Sequence, residues 1–308
     1  MNIIIWTIQI LLAPALSPLF IGIVRKAKAK MQNRQGAGIF QPYRDMAKLF
    51  RKDEVISSDA SWIFRFSPYA VFSVTIALGL CVPLFSSALQ NSFTGDFLVV
   101  VYLVALGAFF LALSGMDAGS AFGGFGSSRE MTVAALTEGG LIFSLLSLAI
   151  SAKSTNLFSI ASSVSSLQPV FMAPVILAFI AFIIAALAET ARFPFDNPAT
   201  HLELTMIHEA MILEYSGKRL ALMEWAAANK FFIFMALAAN LFFPWGISSG
   251  ASLAAIVIGL SVLSAKILIL TLFVAVLESS IAKFRLFRLP DLLFISFILS
   301  AISISLIL

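Results

Sequence analysis

The sequence predicts an all-α fold: a polytopic membrane helical bundle of about eight transmembrane helices, with one amphipathic helix on the cytoplasmic membrane surface. Three observations predict it. Of the 308 residues, 60% are hydrophobic and 12% are charged, whereas a soluble domain is about a quarter charged. The mean hydropathy is +0.99. Eight apolar runs are each suited to crossing a bilayer as a helix, the form in which a spanning segment satisfies its own backbone polar groups. The whole of 1–308 reads as a single transmembrane domain.

The elements follow in order. The first run, 3–24, is longer than the apolar part of a signal peptide and has no basic segment ahead of it, so it is expected to be retained as a span. Residues 25–65 form a basic loop. Within it, IFQPYRDMAKLF (39–50) sets Ile39, Tyr43, Met46 and Phe50 at helical spacing, with Gln41, Arg44, Asp45 and Lys48 elsewhere. That is the pattern of a surface helix. Generic anchoring of a basic segment to lipid explains it equally well. Spans follow at 66–86 and 97–116. The connection 117–130 lies in GMDAGSAFGGFGSSRE (115–130), which reads as a Gly-rich loop. No strand precedes it and no GK[ST] follows, so a tight turn with close backbone approach is expected rather than a phosphate cradle. A span at 131–151, a short Ser-rich external loop and a span at 171–188 come next. Loop 189–229, spans 230–247 and 252–277, loop 278–289 and a short last span at 290–308 complete the bundle.

The basic residues orient these spans. Loops 25–65, 117–130, 189–229 and 278–289 hold seventeen of the twenty Lys and Arg, counting Arg65 and leaving Lys153, Lys230 and Lys266 elsewhere. The positive-inside rule places those loops in the cytoplasm and both termini outside, on the periplasmic side of a cell inner membrane. The net charge of +4 is therefore a topology signal, and nucleic acid is not expected as a partner. Cys81 is the one cysteine and sits in an apolar run. With no CxxC and no Cys/His cluster, no metal site is expected and any electron transfer belongs to partner chains.

The titratable residues are concentrated. ETARFPFDNPATHLELTMIHEAMILEYSG (189–217) holds Glu189, Asp196, Glu203, Glu209 and Glu214, with Arg192, Tyr215 and both histidines, His201 and His208. Read as one helix over 201–215, it brings Glu203 and Glu214 to within about 20° on the more apolar face. Burial there would raise their pKa values and make them proton carriers. The acids have no matching basic residues in the segment. The spacing is not HExxH, and two histidines seven apart make a weak metal site. Glu130 and Glu138 lie about 12 Å apart along one helix, with Glu138 inside an apolar span, where a bare charge is costly. Lys266 is too deep in its span to reach either surface easily, so it is expected to face protein or water with an acidic partner or a lowered pKa, as structural glue or as part of a proton path; Glu278 closes the same helix.

The segment ET-R-PFD…E…EYSG resembles the hallmark loop of the NADH dehydrogenase subunit 1 family, the H-type membrane subunits of respiratory complex I. RQGAGIFQPYRDMAKLF, with Arg34, Arg44 and Asp45, resembles the stretch after that family's first helix in its formate hydrogenlyase and hydrogenase-4 branch. SGMDAGSAFGGFGSSRE, with Arg129, resembles the hydrogenase-branch loop, and ESSIAKFRLFRLPD the last connection. The resemblance implies a membrane subunit on which a NiFe-hydrogenase-like large subunit and an iron–sulfur small subunit dock, beside antiporter-like membrane subunits. It gives Glu189, Arg192, Asp196, Glu203 and Glu214 the loop roles, and Glu130, Glu138 and Glu278 roles where protons pass into the membrane. Glu209 and Lys266 join them as coupling candidates, while Arg34, Arg44, Asp45, Arg129 and Tyr215 are candidates for docking or loop structure. This chain is expected to bind no cofactor itself, the partners carrying iron–sulfur clusters and NiFe, with a quinone as the alternative. Ala199 and His201 stand where the family often has acids, Ala37 where Pro is common, and the interval from Glu203 to Glu214 is longer than usual.

Overall fold

The computed structural model describes residues 2–86, 95–164, 172–197, 205–247 and 252–308. Eleven α-helices are present among them: α1 (Asn2–Met31), α2 (Gln41–Arg51), α3 (Trp62–Cys81), α4 (Phe97–Asp117), α5 (Ala121–Ala152), α6 (Leu157–Val164), α7 (Met172–Glu189), α8 (His208–Ile212), α9 (Gly217–Phe242), α10 (Leu253–Ser280) and α11 (Leu289–Ile307). Seven of these are long and apolar enough to cross a membrane, and the shorter apolar helix of Ala173–Glu189 joins them. The chain is a multi-pass helical membrane protein.

The helices depart from the sequence expectation at definite places. The Gly-rich stretch is helical from Ala121, because Ser120 Oγ caps the helix by accepting from Gly123 N at 3.1 Å. Its glycines serve close packing: a Cβ on Gly123 would collide with the Gly115 carbonyl, and one on Gly126 with Ala210 and the Ile207 carbonyl. The Ser-rich connection after α5 contains α6, anchored by buried Leu157, Phe158, Ile160 and Ala161. The helix expected over 201–215 is not one helix. Residues 205–207 are non-helical, α8 ends at Ile212, and 201–204 lie outside the described residues. Asp196 Oδ2 accepts from the N–H groups of Ile207 and His208, at 3.1 and 3.0 Å, and so starts α8 at His208.

Two prolines in α1 decide how the surface helix sits. Pro18 has no N–H for the carbonyl of Pro14, and Trp225 Nε1 donates to that carbonyl instead, at 2.9 Å. One residue on, the Ala15 carbonyl accepts from the Tyr43 hydroxyl of α2 at 2.5 Å. At Gly22 a side chain would run into the Ile39 carbonyl, so the turn before α2 lies directly on α1. α9 is the centre of the bundle. Phe231 to Phe242 are all buried, with α1, α3, α7 and α10 packed around them, while α11 closes the other side against α5 and α7.

Candidate functional site

The charged loops converge at one end of the bundle. Glu189 closes α7 and is buried, with its Oε2 accepting from Lys230 Nζ of α9 at 2.7 Å. Three residues on, Arg192 Nη1 reaches Glu278 Oε1 of α10 at 3.2 Å, and its guanidinium lies 4.5 Å from the Phe231 ring centre. Glu278 also pairs with Lys28 of α1, at 2.6 Å, and its carboxylate is fully buried. Asp196 pairs with Lys283 at 2.7 Å, and the same ammonium donates to the Thr205 carbonyl at 2.8 Å. Arg219 pairs with Glu54. Removing ions from water is costly unless each is paired and hydrogen-bonded, and these pairs join helices distant in sequence at that cost. The acids that lack matching basic residues within their own segment find them elsewhere in the chain: Lys28, Lys230 and Lys283 supply them, beside Arg192.

A cavity of about 430 Å³ opens beside this network. Val74, Leu78, Val104, Leu111 and Phe231 give it an apolar wall; Glu130, Glu189, Asp196, His208, Glu209 and Glu224 line it with titratable groups. α2 contributes Asp45, Met46 and Lys48, so the surface helix forms part of the rim. Burial pushes Glu209 up to about 7, helped by the nearby charges of Glu224 and Asp196 and opposed by Arg25. Burial pushes His208 down to about 4, with Asp196 opposing and Lys230 reinforcing the shift. Neighbouring side chains are thus biased toward an uncharged imidazole and a carboxyl that titrates near neutrality, a combination suited to accepting and releasing protons.

The sequence candidates separate into groups. The cavity brings together Glu130, Glu189, Arg192, Asp196, Glu209 and Asp45. Glu278 adjoins it through Arg192. Glu138 lies about two turns further along α5, partly buried and off the cavity wall. Glu214 is exposed, which corrects the apolar face expected for it, and Glu203 and His201 lie outside the described residues. Arg34 and Arg44 are exposed. Arg129 Nη1 donates to the Met206 carbonyl at 3.1 Å, tying α5 to the turn before α8. Tyr215 is buried, stacked on Phe64 at 4.0 Å, and donates to the Phe64 carbonyl at 2.9 Å. Lys266 has no carboxylate partner among its contacts: its Nζ donates to Asn240 Oδ1 at 3.3 Å and to the Phe243 carbonyl at 2.6 Å. Of the two alternatives expected for Lys266, the acidic partner is therefore not the one found among the described residues. Among the described residues no three His, Cys, Asp or Glu are grouped to hold a metal ion.

Sequence reasoning missed Lys28, Lys230, Lys283 and Glu224. Glu224, Ala228 and Phe231 recur at helical spacing on one face of α9, and all three line the cavity. That periodicity was the available signal.

A multi-pass helical bundle with a buried ion-pair network and a partly polar cavity at one end defines the chain as an integral membrane protein with a charged site at one end of its spans. The family model described as "NADH dehydrogenase" matches residues 2–308, and the chain belongs to that family. It is 36% identical to hydrogenase-4 component C of Escherichia coli (strain K12), over 94% of this chain and 90% of the relative. It is 31% identical to formate hydrogenlyase subunit 4 of the same organism, over 96% of each. It is 28% identical to the H subunit of NADH-quinone oxidoreductase from Burkholderia ambifaria (strain MC40-6), over 68% of this chain and 61% of the relative. Among solved structures, a chain of the archaeal membrane-bound sulfane sulfur reductase, a respiratory membrane complex, matches with a TM-score of 0.82 and 20% identity over the full length of both chains; that likeness shows the fold.

Proposed function

We propose that this chain is the membrane anchor and coupling subunit of a complex I-related, hydrogenase-type oxidoreductase. It docks a NiFe-hydrogenase-like large subunit and an iron–sulfur small subunit, sits beside antiporter-like membrane subunits, and links electron transfer in the docked chains to movement of protons or sodium ions. It lies in the plasma membrane with the charged end cytoplasmic and both termini outside. The observation that carries this reading is the convergence of buried ion pairs and of one carboxyl, Glu209, that burial raises to about 7, on one cavity at the basic end. A change of charge in a docked redox partner alters the field at Asp196, Glu209 and Glu130, and a proton follows. Glu138, Glu189, Glu203, Glu214, Glu278 and Lys266 are the further coupling candidates. The relatives, hydrogenase-4 component C and formate hydrogenlyase subunit 4, support the hydrogenase branch.

Purification in mild detergent, with mass spectrometry of the co-purifying chains and their metals, tests this. Hydrogenase-like and iron–sulfur subunits are the expected companions. A chain that purifies alone and transports ions unaided contradicts the proposal and favours a free-standing carrier.

One observation favours a quinone-binding reading as the second. The cavity joins an apolar wall to a polar end with His208 and Glu209, as a quinone ring and its tail require. Labelling of cavity residues by a photoreactive quinone supports that reading, and labelling confined to the lipid-facing surface removes it.

A further inference from the structure

Beyond the cavity, a second set of buried polar groups leads away from the charged end. α1 carries no charged residue from Asn2 to Val24, and none occurs from Phe231 to Ala265 or from Phe66 to Gly95. Within that apolar volume, buried polar side chains fall in three successive layers, the first joined side chain to side chain across α1, α3 and α9 and the other two formed by single amides that donate to backbone carbonyls at and just beyond the end of α3. In the first, Ser17 Oγ donates to Asn229 Oδ1 at 2.7 Å, and Asn229 Nδ2 donates to Thr75 Oγ1 at 3.2 Å. Thr75 lines the cavity, and Asn229 precedes Lys230, the partner of Glu189. One helical turn further along α3, Gln9 Nε2 donates to the carbonyls of Gly79 and Val82, at 2.9 and 2.5 Å. Its Oε1 is buried without a hydrogen-bond partner. Beside it, Asn240 Nδ2 donates to the carbonyls of Pro83, at 2.8 Å, and Leu84. Asn240 Oδ1 then accepts from Lys266 Nζ. Gln9, Ser17, Asn229 and Asn240 are all 1% exposed or less.

We propose that this column is a proton route through the chain itself, from the cavity to Lys266, whose side chain is the loading site. It deepens the coupling function proposed above and rests on it for the source of the protons. The groups around Lys266 support it. α1 and α9, which pack against α10, bring no carboxylate and no second cation to the ammonium. The next charge on α10 is Glu278, about 18 Å along the helix, and the next on α9 is Lys230, about 15 Å from Asn240. A lysine at this depth with only neutral acceptors has no counter-charge to hold it ionised, and an ionisable group inside a bundle points to function by default. Gln9 Oε1 and Thr271 Oγ1, the latter on α10 between Lys266 and Glu278, are buried acceptors without protein partners. They are the positions that a water can bridge, given two or more polar neighbours. Loading turns the neutral amine and an incoming proton into the ammonium; unloading gives that proton to water at the end of α9, where the ammonium meets the Phe243 carbonyl, and nothing else is consumed.

A capping role alone would also place a cation here. α9 ends at Phe242, and Lys266 satisfies the Phe243 carbonyl. Three variants separate the two roles. Lys266→Arg keeps a permanent charge for the carbonyl but cannot release a proton in the working range. Lys266→Met removes both roles, and Gln9→Leu breaks the column without touching Lys266. In inverted membrane vesicles holding the intact complex, all three are expected to keep electron transfer while acidification slows about tenfold or more, the scale of a lost proton-transfer group. Wild-type acidification in Lys266→Arg or Gln9→Leu overturns the route.

A second readout does not depend on coupling. The Lys266 ammonium lies 5.9 Å from the centre of the Trp245 ring, so its charge shifts that indole's emission. In the purified protein, the emission difference between wild type and Trp245→Phe, scanned from pH ~6 to ~10 across the range where a perturbed lysine titrates, is expected to show a transition that Lys266→Met and Lys266→Arg abolish. Absence of a Lys266-dependent transition overturns the loading site whatever the vesicles show. The transition without acidification in wild-type vesicles overturns the coupling function and leaves Lys266 as a proton-exchanging group.

Discussion

Glu278→Gln is the most informative single perturbation of the ion-pair network. The Glu278 carboxylate is fully buried and faces Lys28 at 2.6 Å and Arg192 at 3.2 Å. At an effective dielectric of about 20, each contact amounts to roughly 5–6 kcal/mol of Coulomb attraction before desolvation is subtracted. Desolvation offsets most of that in the intact trio. Removing the carboxylate leaves two cations together at a site where side-chain exposure is 16% for Lys28 and 8% for Arg192. The expected loss is about 3–5 kcal/mol, as for other buried pairs deprived of one partner. Equilibrium unfolding by SDS in mixed micelles measures it. Glu278→Gln combined with Arg192→Gln removes one of the stranded charges, so the double variant is expected to lose less than the sum of the singles by about 1 kcal/mol or more. A loss in Glu278→Gln below about 1 kcal/mol, the size found for solvent-exposed pairs, refutes the reasoning.

Other predictions follow from the same geometry. Glu209, raised to about 7 from 4.5, binds more protons folded than unfolded over that window, so its contribution makes stability fall as pH rises from 4.5 to 7. His208, lowered to about 4 from 6.5, binds fewer, so its contribution makes stability rise with pH from 4 to 6.5. The two oppose each other, and unfolding curves taken against pH are expected to steepen upward in Glu209→Gln and to tilt downward in His208→Gln; unchanged slopes exclude both shifts. Gly22→Ala forces the turn before α2 off α1, at an expected cost of about 1–3 kcal/mol for overpacking, and limited proteolysis between α1 and α2 is expected to accelerate. Tyr215→Phe keeps the stack on Phe64 and loses one hydrogen bond, an expected loss of about 0.5–1.5 kcal/mol by the SDS measurement, with coupling intact.

Much of the architecture was legible because hydropathy marks apolar spans and the 39–50 pattern marks an amphipathic helix, although the span expected at 230–247 is helical already from Gly217, inside the loop expected over 189–229. What misled was local composition. GSAFGGFGSSRE looks like a loop because glycine weakens helices, yet Ser120 caps it and neighbours need the missing Cβ atoms at Gly123 and Gly126. The stretch 201–215 has helical spacing, but Asp196 captures the amides at 207 and 208 and restarts the chain there. The acids of the site were visible as residue types; their partners were not. Lys28, Lys230 and Lys283 reach Glu278, Glu189 and Asp196 across 250, 41 and 87 positions of sequence, and such pairing is set by helix crossing, which periodicity does not encode. The column of Gln9, Asn229 and Asn240 was hidden for a related reason: single amides in apolar runs read as tolerated exceptions until the fold aligns them.

The coupling role is tested most directly by the ratio of ions moved to electrons transferred in vesicles carrying the intact complex with Glu130→Gln. Glu130 lines the cavity with Glu189, Asp196 and Glu209 but belongs to none of the ion pairs found among the described residues, so its neutralisation spares the network. Electron transfer retained near the wild-type rate with ion movement lost is the expected result. A wild-type ratio of ions to electrons in that variant contradicts the assignment of this cavity as the place where the two are linked.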